Sequence, residues 1–196
     1  MTRKQTPSQT VGPFFAYGLA ARQYHYRFSQ IATADVAGPD GAGERIRIVG
    51  RVLDGGGTPV PDALVEIWQA DSRGRYAHPA DTRGSNTGFV GFGRMGTGTD
   101  RENRFIFETV KPGSVDGVSA PHVTVVVMMR GLLVHAYTRL YFADEAAANA
   151  ADPVLSSVPE RRRRTLIAER RESERGVEYR FDIRMQGDRE TVFFDL

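Results

Sequence analysis

Alternation of apolar and polar residues with a period of two is the sequence feature that most restricts the possible folds of this chain. Between positions 179 and 185, aromatic and aliphatic residues alternate with charged ones. Successive side chains of a β-strand point to opposite faces, so this pattern is typical of a half-buried strand. Six further segments have β-type patterns: residues 46–53, 63–69, 104–110, 123–129, 132–142 and 191–194. Seven strands predict an all-β fold with a β-sandwich or barrel core.

Helical signals are short and lie late in the chain. Residues 144–151 are rich in alanine and stop before Pro153, and Pro159 suits the first turn of a helix that extends to residue 171. The chain does not show the alternation of strand and helix patterns that builds a parallel sheet. We therefore expect short peripheral helices on a β-sandwich core.

The first 45 residues have little periodicity and differ from the rest of the chain. Six aromatic residues are scattered there among glycines and prolines: Phe14, Phe15, Tyr17, Tyr24, Tyr26 and Phe28. A lone domain would expose this apolar surface, and such surfaces are typical of interaction sites. The pattern predicts an N-terminal arm, residues 1–45, that packs on a partner subunit, followed by a single domain formed by residues 46–196.

Composition and charge exclude several classes of protein. Lys+Arg number 26 and Asp+Glu 24, and the resulting net charge of +2 is too small to indicate nucleic-acid binding. The absence of cysteine excludes disulfides, thiolate metal sites and cysteine nucleophiles. The apolar stretch 11–21 is interrupted by Pro13 and Gly18, so we expect a cytoplasmic protein rather than a secreted one.

Two short motifs have ordinary explanations. Residues 91–96 match the dinucleotide-binding pattern G-x-G-x-x-G, but the predicted strand 104–110 follows where that motif requires a helix. We therefore expect a glycine-rich loop here. The basic run 161–164 is accompanied by Glu160 and Glu169 and has no interleaved aromatic residues, which favours a solvated helix face over contact with phosphate.

Several longer segments resemble one family of enzymes. Residues 54–76, DGGGTPVPDALVEIWQADSRGRY, resemble the signature segment of the intradiol ring-cleaving dioxygenases. The segments TDRENRFIFETVKPG, APHVTVVVMMRG and HAYTRLYFADE follow in the order and spacing of that family. The opening TPSQTVGPFFAYGL resembles the arm of its two-subunit branch. The resemblance implies a β-sandwich in which an alpha and a beta subunit of similar fold pair around a shared active site.

The resemblance also defines four positions for a ferric iron site, of which this chain keeps two. In the iron-bearing subunits of the family, two tyrosinates and two histidines hold the ion. Tyr76 and His122 occupy the first position of each kind, whereas residues 111–120 contain no tyrosine and Thr124 stands at the second histidine position. A hydroxyl does not replace an imidazole as a strong ligand. We expect no metal ligand and no catalytic residue here, with Fe(III) on the partner beta subunit and structural roles for Tyr76 and His122.

The resemblance implies a reaction and a role for this chain. The complex is expected to cleave protocatechuate (3,4-dihydroxybenzoate) with O2 to 3-carboxy-cis,cis-muconate in the beta-ketoadipate pathway, as a higher-order assembly of alpha–beta units. This chain is expected to complete the substrate pocket through Thr10, Gly12, Pro13 and Arg130. Two alternatives remain: a non-enzymatic β-sandwich binding module, because a fold alone does not establish activity, and an independent enzyme with a rearranged iron site.

Overall fold

The computed structural model describes residues 4–85 and 88–195, which form nine strands and four short α-helices. The strands are β1 (Arg45–Leu53), β2 (Leu64–Gln69), β3 (Phe92–Gly96), β4 (Arg104–Val110), β5 (His122–Met128), β6 (Ala136–Phe142), β7 (Ile167–Ser173), β8 (Gly176–Arg180) and β9 (Ile183–Arg184). The helices are α1 (Phe15–Leu19), α2 (Ala146–Ala151), α3 (Pro153–Ser157) and α4 (Glu160–Arg163). None of the helices in the described ranges is long and apolar enough to cross a membrane.

Two sheets share strand β7 and enclose one core. The first sheet runs β3-β2-β5-β6, and the second runs β8-β1-β4. Strand β7 begins parallel to β6, with Ile167 beside Tyr141, and continues antiparallel to β8, with Arg170 beside Tyr179. The short strand β9 pairs with the end of β1. A strand that passes from one sheet to the other closes one edge of the sandwich.

The core takes alternate residues from both sheets. In β5, Val123, Val125 and Val127 are buried, whereas the residues between them are only partly buried. The largest fully buried side chains include Phe105, Phe107, Phe142 and Tyr179. Full burial of an apolar side chain of this size contributes about 1.5–3 kcal/mol to folding. The apolar residues that recur with a period of two in the sequence are therefore the residues that form the core.

The second half of the arm belongs to the same core. Val36 and Ala37 are fully buried. The Val36 N–H donates to the Glu108 carbonyl at 2.8 Å, and the Val90 N–H donates to the Val36 carbonyl at 3.1 Å. This segment thus lies between β4 and the residues that precede β3. The predicted division of the chain at residue 45 stays a prediction, but the residues just before it are part of the sandwich.

The predicted all-β fold is confirmed, with differences at some strand ends. Strand β4 has the predicted bounds, and β1 begins one residue earlier than predicted. The predicted strand 132–142 begins only at Ala136, because a turn with Gly131 at a φ of 93° precedes it. Residues 191–194 form no regular strand and make a single bridge, between Phe194 and Tyr137.

Two predictions for the glycine-rich and basic segments are wrong. Residues 92–96 form strand β3 rather than a loop, because Gly93 leaves room for Phe107 and Val36, which a Cβ would meet. The helix predicted to reach residue 171 ends much earlier. Ile167 and Ala168 instead pair with β6, and this burial outweighs the helix propensity of the arginine run. Helix α4 itself has no buried residue, as expected of a solvated face.

The predicted strand 179–185 is split between β8 and β9 opposite Gly50. A Cβ at Gly50 would meet the Phe181 carbonyl oxygen and the Phe105 ring inside van der Waals contact. At this point the Asp182 side chain supplies the contact between the two strands. Its carboxylate accepts from the Arg51 backbone N–H at 3.0 Å and pairs with the Arg51 guanidinium at 2.6 Å. The split therefore depends on a residue without a side chain at position 50.

Substitution of Gly50 by alanine should destabilise the fold. The added methyl group would push against backbone, which cannot move as a side-chain tip can, and overpacking of this kind costs about 1–3 kcal/mol. Urea unfolding of Gly50→Ala should give a lower midpoint with an unchanged slope. Gly18→Ala is the control, since a Cβ there meets nothing within 4 Å. Equal midpoints for the Gly50 variant and the parent chain would contradict the close approach.

Candidate functional site

One row of side chains crosses the first sheet at Thr124, the residue at the second histidine position. The register pairs Trp68 of β2 with Thr124 of β5, and Thr124 with Arg139 of β6. Residues directly opposite each other on antiparallel strands project from the same face. All three are partly buried. The row therefore places an aromatic ring, a hydroxyl and a guanidinium side by side.

Tyr76 lies over this row. Its ring stacks on Trp68, with centroids 5.6 Å apart and an interplanar angle of 3°. Its backbone N–H donates to the Asp81 carboxylate at 2.8 Å, which holds the loop in place. Burial raises the pKa of the Tyr76 hydroxyl, and the Arg139 guanidinium opposes that shift. The burial of this phenol favours its neutral form over a tyrosinate.

His122 opens strand β5 on the same face, two residues before Thr124. The side chain is buried, and Nδ1 lies 2.8 Å from the Ala120 carbonyl oxygen. A carbonyl oxygen only accepts, so Nδ1 carries the proton in this contact. Burial lowers the pKa of His122, which keeps the ring neutral. The hydrogen-bonded, buried ring fits the structural role expected of it.

These residues do not fit ferric iron. Thr124 offers a hydroxyl at the second histidine position, and no tyrosine occurs in residues 111–120. Arg139 stands beside Thr124 and acts electrostatically on both Tyr76 and His122. A permanent guanidinium at this place repels a trivalent cation. Across the described residues, no three His, Cys, Asp or Glu side chains form a group that could hold a metal ion.

A second group of predicted residues meets at the end of β5. The Thr10 hydroxyl accepts from the Gly131 backbone N–H at 2.9 Å, which fixes the start of the arm beside Arg130. Gly12 and Pro13 follow, and the Gly12 carbonyl accepts from the N–H of Phe15 at the start of α1. Ala16 of helix α1 and Ala20, which follows the helix, then pack against Leu64 of β2. The structure thus brings the arm and Arg130 to one edge of the first sheet.

Arg130 forms an ion pair that the sequence interpretation missed. Its Nε contacts the carboxylate of Asp62. The Asp62 side chain is 12% exposed and the Arg130 side chain 58% exposed. The two terminal nitrogens of the guanidinium have no hydrogen bond to any described residue, so that edge of the fork stays open to an external anion. Leu64 pairs with Met128, and extending this register by two residues on each strand sets Asp62 opposite Arg130.

Comparison with known proteins identifies the family. A family model described as Dioxygenase matches residues 12–187. The chain is 56% identical over 196 residues to the protocatechuate 3,4-dioxygenase alpha chain of Burkholderia cepacia, covering 100% of this chain and 99% of that protein. The chain belongs to the intradiol dioxygenase family. The beta chain of protocatechuate 3,4-dioxygenase from the same organism is 36% identical over 157 residues, or 74% of this chain and 66% of that protein.

A solved structure shares the fold at lower identity. The dioxygenase domain of a dioxygenase and carbohydrate-binding protein fusion from Streptomyces sp. SirexAA-E is 20% identical to the chain, with a TM-score of 0.58. The match covers 95% of this chain and 100% of that domain. The family expected from the sequence, and with it the class of oxidoreductases, is therefore confirmed, whereas the roles of individual residues stay predictions.

The chain should not form a ferric tyrosinate site. When ferric iron is added, the Arg139 charge and the incomplete ligand set should prevent stoichiometric binding, and no visible charge-transfer band should develop. Tyr76→Phe should leave the iron content unchanged, measured by elemental analysis after gel filtration. Trp68→Phe serves as a control for damage to the stacked pair. Iron that binds the parent chain and is lost in the Tyr76 variant would show that Tyr76 is a ligand.

Proposed function

We propose that the chain is the alpha, non-iron subunit of a protocatechuate 3,4-dioxygenase. In this proposal a beta subunit carries Fe(III), and the complex cleaves protocatechuate with O2 to 3-carboxy-cis,cis-muconate in aromatic catabolism. The full-length identity of 56% to an alpha chain, against 36% over a shorter stretch to a beta chain, carries the proposal. Thr124 at the second histidine position and Arg139 beside it support the proposal, because neither side chain suits a ferric ion.

The exposed arm supports assembly with a partner. Phe14, Phe28 and Ile31 are 72%, 65% and 87% exposed, and Tyr26 is 47% exposed. Burial of apolar surface stabilises an interface by roughly 25 cal/mol per Å². The rings also contact one another, since Tyr26 stacks on Phe28 with centroids 6.0 Å apart. A partner subunit that covers this surface accounts for its exposure, and we place the resulting complex in the cytoplasm.

Arg130 is the residue proposed to contact the substrate. Protocatechuate carries a carboxylate that catechol lacks, and a guanidinium binds carboxylates through paired hydrogen bonds. Asp62 holds the Nε side and leaves the terminal nitrogens open. Thr10, Gly12 and Pro13 lie on the adjoining arm, where Gly12 brings backbone close without a side chain. The chain's part in the reaction is to bind and orient the substrate, and the redox chemistry belongs to the partner's iron.

A second candidate is a non-enzymatic binding module. The incomplete iron site favours it, since the chain lacks the means to activate substrate by itself. One experiment separates the two functions. The chain is co-expressed with the neighbouring reading frames and purified through a tag on this subunit, and iron content and protocatechuate-dependent oxygen uptake are measured. An iron-bearing partner and oxygen uptake support the dioxygenase. A soluble monomer without iron or activity, indifferent to an added beta chain, supports the binding module.

Arg130→Ala should weaken protocatechuate binding by about one to two decades in the complex. A charge-assisted fork in a partly desolvated pocket contributes roughly 1.5–3 kcal/mol. The loss should raise KM more than it lowers kcat, because the contact is made to both ground and transition states. Steady-state oxygen uptake measures both parameters.

Two controls accompany the Arg130 variant. Arg130→Lys should recover part of the affinity, because lysine keeps the charge without the fork. Catechol, which has no carboxylate, should be cleaved with much smaller losses by Arg130→Ala. Equal losses of activity with both substrates would show that Arg130 is an ordinary surface charge and does not bind the carboxylate. The comparison requires the same iron content in the variant and the parent complex.

The exposed aromatic rings of the N-terminal arm should contribute to assembly with the partner but not to the stability of the separate chain. The double variant Phe14→Ala, Phe28→Ala should reduce co-purification of the partner at least tenfold, because both rings lose interface area. Its unfolding midpoint as a separate chain should match that of the parent, since both rings are exposed. Complete deletion of residues 1–28 should abolish assembly. Full assembly and turnover of the deletion variant would contradict the arm's role.

A further inference from the structure

The second sheet carries a cavity with a strong excess of positive charge. Its volume is about 520 Å³, and it lies where β1, β8 and β9 meet the turn after α4. Seven arginines and three acidic residues line it. The lining residues alone carry an excess of four positive charges, two of which are offset by Asp100 and Glu178 just outside the lining. We refer to this site as the arginine cavity.

Four of the seven arginines already have carboxylate partners. The pairs and their shortest separations are Arg51 with Asp182 at 2.6 Å, Arg104 with Asp100 at 2.9 Å, Arg171 with Glu169 at 3.0 Å and Arg180 with Glu178 at 2.8 Å. All three acidic residues of the lining, Glu102, Glu169 and Asp182, are used in pairs of this kind. The walls therefore hold no spare carboxylate for the remaining cations.

The other three arginines, Arg164, Arg184 and Arg189, are unpaired. None of their guanidinium groups makes a hydrogen bond or ion pair with any residue in the described part of the chain. Arg184 is also partly buried, whereas Arg164 and Arg189 are exposed. A partly buried cation without a counter-ion is unfavourable, because desolvation is not offset by an opposite charge. The unpaired charge of Arg184 points to an external anion.

Hydrogen bonds fix the backbone that carries these three arginines. The Arg184 N–H donates to the Thr191 hydroxyl at 2.9 Å, and the Thr191 N–H donates back to the Arg184 carbonyl at 2.9 Å. The Val192 N–H donates to the Thr165 hydroxyl at 3.3 Å, which ties the residue after Arg164 to the same segment. Thr191 is itself buried. The three guanidinium groups therefore extend from backbone segments that are linked to one another.

We propose that the arginine cavity binds a small anion that carries at least two carboxylate or phosphate groups. Arginine is suited to both groups because its planar fork donates two parallel hydrogen bonds. A volume of about 520 Å³ is in the range of small-molecule sites. A concave site of this size does not match the extended basic surface that a nucleic-acid backbone requires. This proposal for the arginine cavity is independent of the proposed dioxygenase function.

Titration calorimetry on the full-length chain at low ionic strength tests the proposal. Inorganic pyrophosphate and citrate are the two probes, and they distinguish phosphate from carboxylate ligands. At least one should bind saturably with a Kd below about 1 mM, and added salt should weaken it. Arg184→Gln should weaken binding about tenfold, and the double variant Arg164→Gln, Arg189→Gln should weaken it more. The double variant changes exposed residues only, so it remains informative if Arg184→Gln folds poorly.

Arg161→Gln is the matched control, because Arg161 is an exposed arginine of the same basic run that does not line the cavity. Its affinity for the probe should equal that of the parent chain. Absence of saturable binding for both probes would overturn the proposal, as would equal weakening by the Arg161 control. Loss of a protein partner in the cavity variants, without binding of either probe, would assign the site to an acidic protein segment and also overturn it.

Discussion

The register of β5 between β2 and β6 is the constraint on which both candidate sites depend. It sets Thr124 between Trp68 and Arg139 on one face of the sheet. Extended to the strand end, the same register brings Asp62 opposite Arg130, where the two form an ion pair. A shift of one residue would turn each of these side chains to the opposite face. The buried valines of β5 prevent such a shift, because it would expose them to water.

The side chains around Arg139 interact with one another and with the backbone, and these interactions involve no metal ion. In an iron-bearing subunit the ion itself balances the charge of its anionic ligands. Here a guanidinium lies near Tyr76, whose burial keeps its hydroxyl neutral, and His122, whose Nδ1 bonds to Ala120. The neighbouring Tyr141 donates to Asp152 at 3.1 Å, and burial raises its pKa to about 12. Tyr76, His122 and Tyr141 therefore each have a structural interaction that requires no metal.

Much of the fold could be predicted from the sequence, because alternation reports burial directly. The failures have physical reasons. Strand β3 is rich in glycine, and it forms through pairing with β2 and packing of Gly93 against Val36 and Phe107, contacts that the local pattern does not show. Strand β7 begins after an arginine run with good helix propensity, and its pairing with β6 and β8 decides its conformation. At the site, the resemblance gave Arg130, Tyr76 and His122. Asp62 and Arg139 were missed because only the strand register shows what they face.

Anomalous X-ray scattering at the iron edge, on crystals of this chain with its co-purified partner, tests most directly which subunit binds the iron. We expect one iron peak per pair of subunits, coordinated by the partner and in reach of a substrate whose carboxylate meets Arg130. No peak should lie between Tyr76 and His122. An iron peak at Tyr76 and His122, with Arg139 displaced, would contradict the claim that this subunit leaves the metal to its partner.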